Sequence, residues 1–202
     1  MSRSTFADTY LRSLTACLAG LDRQAIVEIL ERPEKAWTEG ATIFLAGNGG
    51  SAATASHMAT DLAKTVAGMD GAGQGFRTIA LTDNVPMLTA WANDVGYEEV
   101  FAGQLRALAK SGDLLILISG SGNSRNLLRA ARAAKELGLT TIGLLGKGGG
   151  QLKAMVDITA VVPSDDYGPI EDAHLAINLL FTAYFKQWTK ASAYAKTSSD
   201  TG

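Results

Sequence analysis

Cysteine is nearly absent from this chain of 202 residues: Cys17 stands alone, so no internal disulfide can form, and a reducing cytoplasm is the expected setting. Histidine is almost as scarce, with only His57 and His174. Neither sign of charge dominates, since 18 Lys and Arg face 20 Asp and Glu for a formal net charge of −2. That balance leaves no basic excess to drive binding to nucleic acid or to an anionic membrane surface. No apolar run approaches the roughly 20 residues of a membrane helix, and Met1–Tyr10 lacks the basic patch and apolar stretch of a signal peptide. Internal repeats and heptad runs are missing too. Yet 47% of the residues are hydrophobic, too many for a disordered chain. The length fits one α/β domain over residues 1–195, with helices in 1–39, an α/β core in 40–195 and a flexible tail at 196–202.

What is present in excess is glycine, at 22 positions where average usage of about 7% gives roughly 14. The element pattern locates it. Thr5–Leu21 and Arg23–Trp37 read as amphipathic helices, the first carrying Phe6, Tyr10, Leu14, Cys17, Leu18 and Leu21 at spacings of three and four. Pro33 falls near the end of the second and is expected to bend or stop it. Then short apolar runs alternate with helical segments: Ala41–Ala46, Thr78–Leu81, Leu114–Ile118, Thr141–Leu145 and Ile158–Val162. Runs of this kind predict parallel strands buried on both faces. The helices between them are expected at Ser51–Lys64, Pro86–Trp91 with Glu98–Lys110, Ser124–Leu137 and near Gln151–Met155, and a long one over Ile170–Ala191 closes the chain. The fold class is therefore α/β: a doubly wound, flavodoxin-like five-stranded parallel sheet with an N-terminal helix pair and a long C-terminal helix. In such sheets a ligand sits beyond the carboxyl ends of the strands, where the strand order reverses.

Two glycine-rich loops fall at that end. The first strand runs into Gly47-Asn48-Gly49-Gly50-Ser51 and the third into Ser119-Gly120-Ser121-Gly122-Asn123-Ser124, each opening a helix. Glycines let the backbone approach an anion, the first helical N–H groups are unsatisfied, and serine hydroxyls add donors without bulk. Such clusters also occur as plain turns with Ser51 or Ser124 as helix caps; their equivalent positions after neighbouring strands favour phosphate binding. Neither loop has the lysine of a P-loop or the G-x-G-x-x-G spacing, so no nucleotide cofactor is expected and a single phosphomonoester on a sugar fits better. With no basic patch in the chain, backbone N–H and hydroxyl groups must hold that anion. Four more glycines, Gly146, Gly148, Gly149 and Gly150, follow the fourth strand, and four punctuate Ala67–Gly75, a stretch expected to be mobile, as a lid or as a connection.

Ser-Gly-Ser-Gly-Asn-Ser after a strand resembles the phosphosugar signature of the sugar isomerase (SIS) domain family. Together with Gly-Asn-Gly-Gly-Ser-Ala-Ala, Leu81-Thr82-Asp83-Asn84 and Ala92-Asn93-Asp94, the chain is similar to the phosphoheptose isomerases over nearly its whole length. The resemblance implies a phosphorylated sugar as substrate, with contacts from Asn48, Gly49, Gly50, Asn93, Asp94, Ser119, Gly120, Ser121 and Ser124, to which Ser51 of the first loop and Glu171 are added as candidate substrate contacts, and a homotetramer with shared active sites. It also implies an active centre of His and Glu on the first core helix and Gln and His on the last, a set able to bind zinc or another divalent metal. Here the first histidine is kept as His57, the glutamate becomes Asp61, the glutamine becomes Glu171 and the second histidine falls on Leu179.

That last change leaves three readings. Asp61 and Glu171 serve as the acid/base pair beside His57, with His57, Asp61 and Glu171 as the metal ligands if a metal binds. Or His174, one turn away, takes the missing role. Or the chain is a non-catalytic SIS protein binding a phosphosugar or a protein partner, like the replication-initiator-associating proteins, whose likeness extends to Thr82-Asp83-Asn84-Val85 and Asn123-Ser124-Arg125. Two ionisable carboxylates beside a phosphate add repulsion that a binding site does not need, which favours the isomerase.

Overall fold

The apolar runs become five strands: β1 Thr42–Gly47, β2 Arg77–Ala80, β3 Leu114–Ser119, β4 Thr140–Leu145 and β5 Ile158–Val161. All are parallel, in the order β2-β1-β3-β4-β5. The structure, a computed structural model, describes residues 1–68 and 73–199, with side chains up to residue 191. The two central strands β1 and β3 are buried along their whole length. Edge strand β2 departs from the expected burial, because only one neighbour covers it and Ile79 stays 39% exposed.

Seven helices flank the sheet among the described residues: α1 Arg3–Ala19, α2 Arg23–Glu39, α3 Gly50–Thr60, α4 Val85–Asp94, α5 Ala102–Leu108, α6 Arg125–Leu137 and α7 Tyr167–Ser199. On one face α2, α3 and α7 enclose Ile43, Leu45, Ile116 and Met58. There Trp37, Phe76, Phe185 and Trp188 pack edge to face, Phe76 lying 4.9 Å from both Trp37 and Phe185. On the other, α5 and α6 cover Phe44, Leu115 and Leu117 with Phe101, Leu105 and Ala130.

Four local expectations are corrected. Pro33 does not stop α2, which runs through it to Glu39; proline removes one N–H, and Ile29, Pro33 and Ala36 are all held down by burial. The segment expected as one helix over 98–110 splits into a 3₁₀ turn at Tyr97–Glu99 and α5, and the break lets both Val100 and Phe101 bury. The helix expected over 51–64 is α3 followed by a π-helical turn at Asp61–Thr65. The closing helix begins at Tyr167 and continues to Ser199, past the expected start of a tail at Lys196, because no Pro or Gly interrupts residues 170–199; residues 200–202 lie outside the described residues. Of the stretch 67–75, residues 69–72 also lie outside them; beside these, the Gly73 N–H donates to the Ala67 carbonyl at 3.0 Å and the Phe76 N–H to that of Leu62 at 3.0 Å.

At the amino ends of the strands, buried Asp113 accepts from the backbone N–H of Thr42 at 2.8 Å and of Lys110 at 2.9 Å, tying β1 to the start of β3. Replacing Asp113 with Ala orphans the buried Thr42 donor, and should lower unfolding free energy by about 2–3 kcal/mol. Urea unfolding at unchanged slope measures it.

Candidate active site

The strand order reverses between β1 and β3, so the loops after these two strands meet there, as doubly wound sheets require. An amide pair joins them. Asn48 Nδ2 donates to Asn126 Oδ1 at 2.9 Å, Asn126 Nδ2 donates back to Asn48 Oδ1 at 2.8 Å, and the Tyr97 hydroxyl donates to the same oxygen at 2.9 Å. Asn48 is thus a structural clamp between the loops as well as a cavity wall.

The second loop folds on its own serines. Ser119 Oγ accepts from the Gly122 N–H at 3.0 Å and Ser121 Oγ from the Asn123 N–H at 3.2 Å, which leaves both hydroxyl protons to be donated elsewhere. Ser124 stands at the N-cap of α6 without a side-chain capping bond, so its oxygen is not spent on the helix. Gly122 has φ 63°, and a Cβ there would run into the Gly149 carbonyl; only glycine satisfies both conditions. Ser119, Ser121 and Ser124 line a cavity of about 150 Å³ together with Asn48, Ser51, Gly120, Tyr167 and Glu171. A wider cavity of about 530 Å³ adjoins it across Asn48 and Ser124, walled by Tyr97, Glu98 and Arg125.

Glu171 comes from the first turns of α7. A Cβ on Gly50 would fall on its carboxylate, so the glycine of the first loop makes room for the acid. Its neighbour Asp172 is drawn away by the Tyr10 hydroxyl of α1 at 2.6 Å, a bond that pushes the Tyr10 phenol up to about 12. Because the Gly50 contact is made by the movable tip of Glu171, Gly50→Ala should leave the urea midpoint in place while displacing the carboxylate. We expect kcat to fall at least about tenfold, the loss a misplaced proton-transfer group brings.

Asp61 is placed differently from Glu171. It sits at the start of the π-helical turn, a local widening frequent at functional sites. It is buried and faces α7: its carboxylate accepts from Thr65 Oγ1 at 3.0 Å, Thr182 Oγ1 at 3.2 Å and Asn178 Nδ2 at 3.4 Å, and pairs with His57 Nε2 at 3.2 Å. His57 is about half exposed. Asp61 therefore orients His57 and does not line the serine cavity. The expected metal set is not assembled: among the described residues no three His, Cys, Asp or Glu side chains converge, since Glu171 lies at the serine cavity while Asp61 is bound to α7.

Three further expectations meet the structure here. Asn93 and Asp94 end α4 on the surface, Asn93 Nδ2 donating to Asp94 Oδ1 at 2.7 Å, and they are not among the residues lining either cavity. Leu179 is 49% exposed on α7. His174 is fully buried and is not among the residues lining either cavity; neither ring nitrogen has a hydrogen-bond partner of normal geometry, and the same holds for Asn178 Oδ1. Tyr167, Tyr97 and Asn126 were not anticipated, because only the folded chain brings them to the two loops.

A parallel sheet ordered 2-1-3-4-5, with a serine-lined cavity at its reversal point, defines a doubly wound α/β protein with a polar cavity at the switch point of its sheet. The chain belongs to the SIS domain family, whose profile matches residues 9–146. Within it the chain is of the phosphoheptose isomerase type. It is 45% identical over 159 residues to the phosphoheptose isomerase of Aliarcobacter butzleri, covering 75% of this chain and 81% of that one. It is 41% identical over 152 residues to that of Trichlorobacter lovleyi, covering 75% and 76%. The solved phosphoheptose isomerase of Francisella tularensis superposes with a TM-score of 0.87 at 29% identity, over 93% of this chain and 100% of the other.

Proposed function

We propose that this isomerase interconverts sedoheptulose 7-phosphate, or a similar ketose phosphate, with its aldose partner through an enediolate. The observation that carries the reading is Glu171, a carboxylate set on the rim of a cavity whose other polar groups are hydroxyls and amides suited to a phosphate. The phosphate accepts hydrogen bonds from the hydroxyls of Ser119, Ser121 and Ser124 and from the free N–H groups of α6. The carbonyl end then extends toward Glu171 and His57. Glu171 takes a proton from C1 of the ketose and the electron pair forms the C1–C2 double bond of the enediolate. Return of that proton to C2, while the C1 hydroxyl gives up its proton to become the carbonyl and the C2 oxygen takes one to become the hydroxyl, completes the aldose. His57, held by Asp61, donates a hydrogen bond to the enediolate oxygens, the electrostatic contribution that matters most in such reactions.

The test is to incubate the protein with sedoheptulose 7-phosphate in D₂O and follow C1 by NMR. Deuterium entry at C1 with formation of aldose is expected; tight binding without exchange would instead support the binding protein related to the replication-initiator-associating branch. The reading includes a cytoplasmic homotetramer with shared active sites. Among the described residues no helix is long and apolar enough to cross a membrane. Phe6, Leu11 and Leu18 of α1 and Leu179 and Leu180 of α7 remain exposed, which supports association through these helices. Light scattering behind size exclusion tests the oligomer.

A further inference from the structure

The glycine cluster after β4 has no part in the chemistry above, yet it packs against the phosphate loop. The Gly146 N–H donates to the Ser119 carbonyl at 3.1 Å, the Leu152 N–H to that of Gly122 at 3.0 Å, and the Gln151 N–H to Asn123 Oδ1 at 3.0 Å. In the run Gly146-Lys147-Gly148-Gly149-Gly150, Lys147 carries the one side chain beyond hydrogen. It is also the single non-glycine residue among those described with positive φ, at 46°, a backbone disfavoured for any residue with a Cβ and worth a functional question. The conformation is held by the Lys147 N–H on the Ser164 carbonyl at 3.1 Å. Its result is to set Nζ 3.8 Å from the centroid of the Tyr167 ring, a cation on an aromatic face.

The same ring also lies against Gly120, where a Cβ would come within 2.8 Å of Cδ1 and Cε1. Tyr167 lines the serine cavity but is 48% exposed, so little besides Gly120 and Lys147 fixes its position. We propose that Tyr167, in contact with both Gly120 and the Lys147 ammonium, is a specificity-determining residue that roofs the phosphate cavity and admits a phosphomonoester while turning away a phosphodiester. The inference rests on the phosphosugar reading above. In a cavity of about 150 Å³ a terminal phosphate fits beneath the ring, whereas an ester group on a second phosphate oxygen needs the space the ring holds. Lys147 acts as a positioning residue, and its charge behind the Tyr167 ring favours the dianionic monoester over the monoanionic diester.

Calorimetric titration of sedoheptulose 7-phosphate and of its phosphate methyl ester reads binding without turnover. The parent should prefer the monoester by about a hundredfold, and Tyr167→Ala should shrink that ratio to within about tenfold, the range over which a small group fits or clashes in a pocket. Gly120→Ala should push the ring aside and raise the monoester Kd about tenfold in the parent, yet change it less than about twofold once residue 167 is Ala, because contacting sites are coupled. Lys147→Met should lower the ratio about threefold, and an unchanged ratio removes Lys147 from the proposal. An undiminished ratio in Tyr167→Ala, or an equal Gly120→Ala effect in both backgrounds, overturns the proposal for Tyr167. A parent that binds neither ester overturns the phosphosugar reading and this inference together; a parent that binds and isomerises the monoester while the cycle is additive overturns the inference alone.

Discussion

Glu171→Gln is expected to lower kcat for ketose phosphate isomerisation by about 10²–10⁴, the usual worth of a positioned proton-transfer group, with substrate affinity unchanged or tighter. The affinity follows from charge, since the amide keeps the shape of the carboxylate but ends its repulsion of the bound phosphate. The resembled family carries glutamine at this position together with a histidine where this chain has Leu179. The substitution here removes the carboxylate without returning the imidazole, so the proton has no other acceptor at the cavity: Asp61 is turned to Thr65, Thr182 and Asn178, and His174 is buried. Asp61→Asn should behave differently, because Asp61 pairs with His57 and is not among the residues lining the serine cavity. Its expected mark is slower turnover with deuterium exchange at C1 retained, since the enediolate still forms but its oxygens are less well held. Rates and C1 exchange measured by NMR in both variants decide the assignment. Turnover by Glu171→Gln within about threefold of the parent would place the base elsewhere.

The parts of this site written in local sequence were legible, and the parts made by tertiary contact were not. Strand runs, the two loops and the starts of their helices follow from periodicity and from glycine and serine chemistry within a few residues of each other, and each appears at its expected place within a residue or two. His57 and Asp61 also meet as four-residue spacing on a helix requires. What spacing could not convey is where Asp61 faces, because the π-helical turn breaks the 3.6-residue period just where the acid stands and α7, more than a hundred residues on, supplies its partners. Asp61 and Glu171, alike as acids in the sequence, are set by the fold in different surroundings, one bonded to α7 and one lining the serine cavity. The Tyr167 ring against Gly120 likewise joins residues from different loops, and no local pattern marks it. Charge balance was informative only in sum: a net −2 hides Lys147 set on the ring of Tyr167, a wall of the serine cavity, by its own left-handed backbone.

His174 gives the second large effect, on stability. Buried on α7 with neither ring nitrogen partnered, its imidazole is pushed down from 6.5 to about 4 by burial, with the backbone of Leu145 pulling weakly the other way. In the folded protein the ring therefore stays neutral down to about pH 4, while in the unfolded chain it takes a proton below about pH 6.5. Between those values the unfolded state binds more protons, so stability falls as pH falls; above 6.5 the full contribution is present, and below 4 this residue adds no further loss. The window is worth on the order of 3 kcal/mol, at about 1.4 kcal/mol for each pH unit. His174→Leu removes the titration and the two unpartnered nitrogens at similar volume, so it should match or exceed the parent's stability at pH 4.5 while differing little at pH 7.5. Urea unfolding of both proteins across that range, with His57 and the carboxylates common to both, isolates the effect. Curves that run parallel with pH would mean that His174 is protonated, or bonded through a buried water, in the native protein.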